Sequence, residues 1–247
     1  MVTDTEGLVL RQIRAVNGRR MIVLLTKKYG RISAGTSITE GGKNKTALAL
    51  RPFTYGRYEL FHARDSYSIN GAEVLQSFYA IGEDVDKYVA ASYALELTDR
   101  LAPEDQPQPG LLSLIRDFLA MLDRRKGAYP TLLIGFILKA LQLQGIAPQM
   151  RKCMRTGAEE DLAFFSVADG GMLSRTALTS FAGNDPLMFE ISPQQLAAVR
   201  FMQKKPLTAL EGLSLGEEGE RHLLRIFKAY LAYHLGIENL KSESLVL

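Results

Sequence analysis

The chain has 247 residues, 47% of them hydrophobic and 23% charged, with a single cysteine and a formal net charge of +3. That length can bury one large core or two modest ones, the composition excludes extensive disorder, and one cysteine excludes an internal disulfide and fits a reducing compartment. Residues 1–80 hold twelve Lys/Arg against six Asp/Glu, about +6, which leaves about −3 for residues 81–247. A basic first third joined to a mildly acidic remainder points to a polyanion-binding head on a protein-binding support.

Up to about residue 70 the pattern predicts strands and turns. Leu8–Leu10 and Met21–Leu25 are short β-rich runs separated by a turn at Asn17-Gly18, and Tyr29-Gly30 turns the chain into Arg31–Ala34. Between Tyr55 and His62, the residues Tyr58, Leu60 and His62 alternate with Arg57, Glu59 and Phe61, a strand with two unlike faces. Asn70-Gly71 supplies one more expected turn. Five strands in this span predict a small barrel of OB type, although an SH3-like barrel has nearly the same pattern.

From Ala72 onward the period becomes helical. Val85, Tyr88, Val89, Ser92 and Leu95 form one expected buried stripe. The proline-rich segment 102–110 separates this helix from the next, Leu111 to about Arg125, and Tyr129-Pro130 opens a strongly apolar helix ending at Gly145. Residues 146–190 show little periodicity and read as an irregular insertion. Ser192 with Gln195, and Ser214 with Glu217, are expected capping boxes. The last helix places Leu223, Phe227, Tyr230, Leu231 and His234 on one face before Gly236. The fold expected is therefore α+β: an OB-type barrel over 1–80, then a mainly helical domain over 81–247 with an irregular insertion at about 146–190.

Residues 131–147, the most apolar stretch, carry Lys139, two glutamines and Gly145 and are too short and polar to span a bilayer. The opening Met1–Gly7 lacks the basic-then-apolar order of a signal peptide. The expected location is the cytoplasm, without membrane association.

Enzymatic motifs are absent. Gly41-Gly42-Lys43 is not a phosphate-binding loop, because Ser37 stands where its first glycine belongs, and no GxGxxG, HExxH or GxSxG occurs. No carboxylate cluster has the spacing of a nuclease metal site. Cys153 reads as a buried small hydrophobe, and His62, His222 and His234 are too dispersed to hold a metal. The chain is expected to be no enzyme and to need no cofactor. Phosphate binding needs rows of cations, and single-strand binding adds aromatic faces. The candidate nucleic-acid contacts are Arg11, Arg14, Arg19, Arg20, Lys27, Lys28, Lys43, Lys45, Arg51 and Arg57, with Tyr55 and Tyr58 interleaved and Thr39–Thr46 as a wrapping loop. The alternative is a barrel that serves as a protein-interaction scaffold, its charge aiding solubility.

Gly7–Leu10, Ile22–Thr26, Tyr29–Ser33, Ala47–Phe53 and Tyr58–Leu60 resemble the N-terminal barrel of the bacterial RecO recombination-mediator family. Tyr93–Leu101, Phe136–Leu141, Gly145–Pro148, Gly170-Gly171 and the ending His234–Gly236 with Leu240–Ser242 resemble that family's helical domain. The resemblance implies a nucleoid-associated DNA-repair protein that binds single- and double-stranded DNA, anneals complementary strands and helps load recombinase onto DNA coated by single-strand-binding protein (SSB). It also implies RecR and the acidic C-terminal tail of SSB as partners. Two departures accompany it. Many relatives carry zinc on two Cys-x-x-Cys pairs, which here read Cys153-Met-Arg-Thr156 and Ser174-Arg-Thr-Ala177, so no zinc is expected. Some relatives place arginines before the phenylalanine matched by Phe136, where this chain has Ile134-Gly135. The expected tail contacts shift to Arg124, Arg125, Phe136 and Lys139, with Arg116 a further cation in reach.

Overall fold

A computed structural model describes residues 1–14, 20–38, 45–64, 66–178 and 185–242. The chain packs as two compact units, Met1–Arg124 and Arg125–Leu247.

In the first unit, among the described residues, five strands form a barrel in the order β1-β2-β3-β5-β4. They are β1 (Val2–Arg14), β2 (Arg20–Thr26), β3 (Gly30–Thr36), β4 (Thr54–Ala63) and β5 (Ser66–Ser77). The long β1 pairs antiparallel with both β2 and β4, shifting register between Val9 and Arg11, where a bulge bends the strand. The ring closes by a short parallel seam, Ala34–Thr36 against Tyr67–Ile69. This Greek-key order with a thin closing seam is that of an OB-type barrel.

The interior is filled by Val9, Ile22, Leu24, Ile32, Ala34, Tyr58, Leu60 and Ile69. Leu50, following the short helix α1 (Lys45–Ala49), joins the same core. The alternation read along β4 holds from Arg57 to Phe61, with Tyr58 and Leu60 fully buried and Arg57, Glu59 and Phe61 facing out, but ends there, since His62 is exposed. Asn70-Gly71 makes no turn. It lies inside β5, where the ladder slips between Gly71 opposite Glu59 and Ile69 opposite Leu60, so the flexible dipeptide is used for a bulge. The β2–β3 turn does fall at Gly30, with φ +67 and a Cβ position only 1.9 Å from the Gln106 carbonyl oxygen, so no side chain fits there.

Helices α2 (Val85–Leu101) and α3 (Pro109–Arg124) complete this unit. The Asp84 carboxylate accepts from the Lys87 amide and caps α2. The stripe expected to be buried on α2 is largely outside: Val85 is 77% and Tyr88 47% exposed. Of that stripe only Leu95 is buried, and the helix's other buried residues are Ala90, Ala91, Tyr93, Ala94, Leu97, Thr98 and Leu101. Alanines carry little apolar signal, but they let a helix approach its neighbours closely, and α2 packs on η-type turn Tyr79–Glu83, on β1 and on α3.

The second unit contains α4 (Tyr129–Leu143), α5 (Pro193–Lys204) and α6 (Gly216–Leu235). The span expected to be irregular contains an antiparallel sheet of β6 (Leu162–Ser166), β7 (Gly171–Ser174) and β8 (Met188–Glu190). All four β7 residues are buried, which removes the alternation that would have announced a strand. Phe165 of β6 packs its ring against Phe227 and Tyr230 of α6. The Ser192–Gln195 capping box forms with both of its bonds. The one at Ser214 and Glu217 does not: α6 starts after Leu215 with no side-chain cap. Of its expected face Leu223, Phe227, Tyr230 and Leu231 are buried while His234 is exposed, and Gly236 ends the helix in the left-handed conformation.

Candidate nucleic-acid interface

Residues directly opposite each other in a β ladder share a face, so the register sorts the barrel's charges. Arg11 lies opposite Val23, and Leu25 opposite Arg31, on the outer face of β1–β2–β3. There Asp99 of α2 receives both arginines: Arg11 Nε at 2.5 Å from Oδ2 and Arg31 Nη1 at 3.4 Å from Oδ1. Arg31 also donates to the Ala102 carbonyl and to Glu104. Arg11 and Arg31 therefore tie α2 to the barrel.

The outer face of β1–β4–β5 is acidic. Asp4 sits opposite Glu59, and Arg57 lies between Glu6 and Glu73, 3.3 Å from the latter. The Glu6 carboxyl accepts from the Tyr55 hydroxyl at 2.6 Å, which holds it below the usual carboxylate range, helped by the charges of Lys27, Arg57 and Arg116. Burial, and then the same bond to Glu6, push the Tyr55 phenol up to about 12. Arg116 stacks 3.9 Å above the Tyr55 ring. Tyr55 and Tyr58 are 4% and 0% exposed, and the Tyr58 hydroxyl donates to the buried Ala49 carbonyl, so neither ring offers a face to a base.

The other cations do not converge on one spot but lie at the two ends of β2 and beside α1. The β1–β2 ladder sets Arg14 opposite Arg20, and Arg20 Nη1 donates to the Ile38 carbonyl. Lys27 and Lys28 are exposed in the β2–β3 turn, with Lys27 Nζ 3.9 Å from Glu6. Lys45 begins α1, and Arg51 is exposed just after it. Arg19, Lys43, the Asn17-Gly18 turn and most of the loop 39–46 lie outside the described residues.

The residues expected to contact a peptide tail are divided between the two units. Arg124 closes α3 and is exposed in the first. In the second, Arg125 donates to the carbonyls of Gly127, Leu210, Glu211 and Leu213. Lys139 donates to Gln142 and to the Gln203 carbonyl. Phe136 is fully buried. Gly135, just before Phe136, has its Cβ position 2.4 Å from a Leu210 methyl, so a longer side chain would have to displace Leu210.

Cys153 is buried, as its isolation in the sequence suggested. Burial alone would raise its thiol, but hydroxyl and amide donors of Thr156 and Ser174 bring it down to about 6. Three of the four positions matched to zinc ligands thus meet, yet they present one thiol and two hydroxyls, a set that does not fit a tetrahedral zinc site. No three of His, Cys, Asp and Glu converge as a metal site among the described residues.

Sequence reasoning missed the role of Asp99, since nothing local marks an acid in a helix as the partner of two strand arginines. It also missed the ring cluster of Tyr29, Tyr67 and His62, hidden because Tyr67 lies in a strand with weak alternation.

Among the described residues, no helix is long and apolar enough to cross a membrane. The family profile described as Recombination protein O N terminal matches residues 1–78, and that described as Recombination protein O C terminal matches residues 82–244. The chain is 27% identical to the DNA repair protein RecO of Alkaliphilus metalliredigens, over 98% of this chain and 97% of that one. It is 29% identical to the protein of the same name from Myxococcus xanthus, over 94% and 92% of the two chains. Against that of Bacillus subtilis the identity is 26%, over 96% and 91%. With both profiles matched in order and nearly every residue of the relatives aligned, the chain belongs to the RecO family of DNA-repair and recombination proteins.

Proposed function

We propose that this chain is a non-enzymatic recombination mediator. Residues 1–80 bind single- and double-stranded DNA, and residues 81–247 form the helical support. It anneals complementary strands and helps load recombinase onto SSB-coated DNA in the cytoplasm, with RecR and the SSB C-terminal tail as protein partners. The observation that carries the DNA reading is the placing of cations at the ends of β2, with Lys27 and Lys28 exposed at one end and Arg14 in register with Arg20 at the other. Lys27, Lys28 and Arg51 add exposed positive charge, while the acidic β1–β4–β5 face turns phosphate away. Arg11 and Arg57, both ion-paired, contribute less than the other candidates.

The test is a fluorescence titration of labelled single-stranded and duplex oligonucleotides at two salt concentrations. With four phosphate contacts, duplex affinity falls by roughly two orders of magnitude between about 50 and 200 mM salt, as counterions released on binding come at higher cost. Salt-independent binding, or none, would overturn the reading. The scaffold alternative gains support from the engagement of Arg11 and Arg31 by Asp99. Reversing the exposed Lys27 and Lys28 to Glu separates the two: DNA binding unchanged by that reversal favours the scaffold.

A further inference from the structure

Three aromatic rings meet beside the seam that closes the barrel. Tyr67 opens that seam in β5 and lies directly opposite His62 of β4. Their rings stack at 4.4 Å with planes 12° apart, and the Tyr29 ring leans on Tyr67 at 5.7 Å. The two tyrosines are half-buried and pack on the barrel core. The Tyr29 hydroxyl shares a 2.9 Å bond with Thr3, and burial, with Asp105 nearby, raises the Tyr67 phenol above its ordinary range. The His62 amide is pinned to the Met1 carbonyl at 2.9 Å.

Closing the barrel end accounts for the tyrosines and leaves His62 unexplained. His62 is exposed and stacks one ring face on Tyr67, the one aromatic partner it has among the described residues. The remaining histidines bond carbonyls, His222 that of Glu190 and His234 that of Val167, whereas the His62 ring bonds none of the described residues. A ring held by its backbone, backed by a fixed stack and otherwise exposed is what an unpaired base needs. Stacking then costs little ordering and requires no particular base. Lys28, next to Tyr29, and Arg64, two residues past His62, are exposed and supply charge for the adjoining phosphates.

We infer that Tyr29, Tyr67 and His62 form a base-stacking site for single-stranded DNA, the incoming base extending the stack on the outer face of His62. This rests on the DNA-binding reading above and adds a strand-specific site to it. Bases inside a duplex are already stacked and cannot enter.

The chain contains no tryptophan. His62→Trp in the full chain therefore places a lone reporter in the stack. Oligothymidylate should quench its emission with the same midpoint that a labelled oligonucleotide reports, and a duplex at the same salt should leave it unchanged. His62→Ala should weaken single-strand binding by about five- to a hundredfold, the range for one base stacked on an aromatic side chain, and spare duplex binding. His62→Phe should keep single-strand affinity, and thermal unfolding of each variant confirms its fold. Tryptophan emission unmoved while the single strand binds would overturn the site, as would equal losses on single strand and duplex in His62→Ala. If the wild-type chain binds neither DNA form, the DNA-binding reading itself has failed, and the site falls with it.

Discussion

Arg11 of β1 and Asp99 of α2 are 88 residues apart in sequence and meet through a 2.5 Å contact between Nε and Oδ2. Arg31 reaches the same carboxylate, whose side chain is only 11% exposed. Substituting Asp99 by Ala leaves two guanidinium groups without their acid at a partly covered surface, and is expected to destabilise the first unit by about 1–3 kcal/mol. A urea unfolding curve reads this directly. Arg11→Ala should cost less, because Arg31 keeps the bridge, and should leave the salt dependence of DNA binding unaltered. A reduced salt slope in Arg11→Ala would show that Arg11 touches phosphate after all.

Arg125 behaves as a fixed fork, donating to three carbonyls of the segment 210–213 and one at Gly127. Removing it leaves those carbonyls short of a charged donor, with an expected loss of roughly 2–4 kcal/mol. Arg125→Lys should recover little, since an ammonium group cannot span the fork. Comparing thermal midpoints of wild type, Arg125→Ala and Arg125→Lys checks both statements. A stable Arg125→Ala that had lost affinity for SSB tail peptide would instead assign Arg125 to partner binding.

Asp169 gives the fold a pH dependence. Its carboxylate takes both Arg155 donors, at 2.8 and 3.2 Å, and the Ser166 hydroxyl at 2.6 Å. The bond from Arg155 above all holds it below the ordinary aspartate range. A carboxyl lowered in the folded state stabilises at any pH above its unfolded value, and the contribution disappears as pH falls through the folded value. Asp169→Asn should therefore cost roughly 1–2 kcal/mol at neutral pH, with the gap to wild type closing below about pH 4. A gap constant from pH 7 to pH 3 would remove the charge from the explanation.

The Cys153 thiol should ionise near pH 6 in the folded chain, followed as thiolate absorbance, and near its ordinary value of about 8.5 once unfolded. Ser174→Ala, by deleting one donor to the sulfur, should raise the folded midpoint. With a single thiol at the site, elemental analysis of untagged protein should show well under one zinc per chain. Stoichiometric zinc that resists chelation would require ligands outside this set.

Short-range order was legible in the residues themselves. The alternation along Arg57–Phe61 follows from period-two geometry, the Ser192–Gln195 cap from two neighbouring side chains, and the stop at Gly236 from a conformation that only glycine adopts freely. Excess positive charge in the first third is likewise a property of composition. Tertiary structure decided what those charges and rings meet. Packing of α2 through its alanines exposed Val85 and Tyr88, and β7 within 146–190 is too buried to alternate, while its neighbours are too short to show a period. Asp99 took Arg11 and Arg31 out of the cationic surface, and an acidic strand face enclosed Arg57. Tyr55 and Tyr58 went inside, while His62 stayed out on a stack begun by Tyr67. Each of these outcomes depends on partners brought together by strand register and helix docking, and no local period or motif carries information about a neighbour that folding alone supplies.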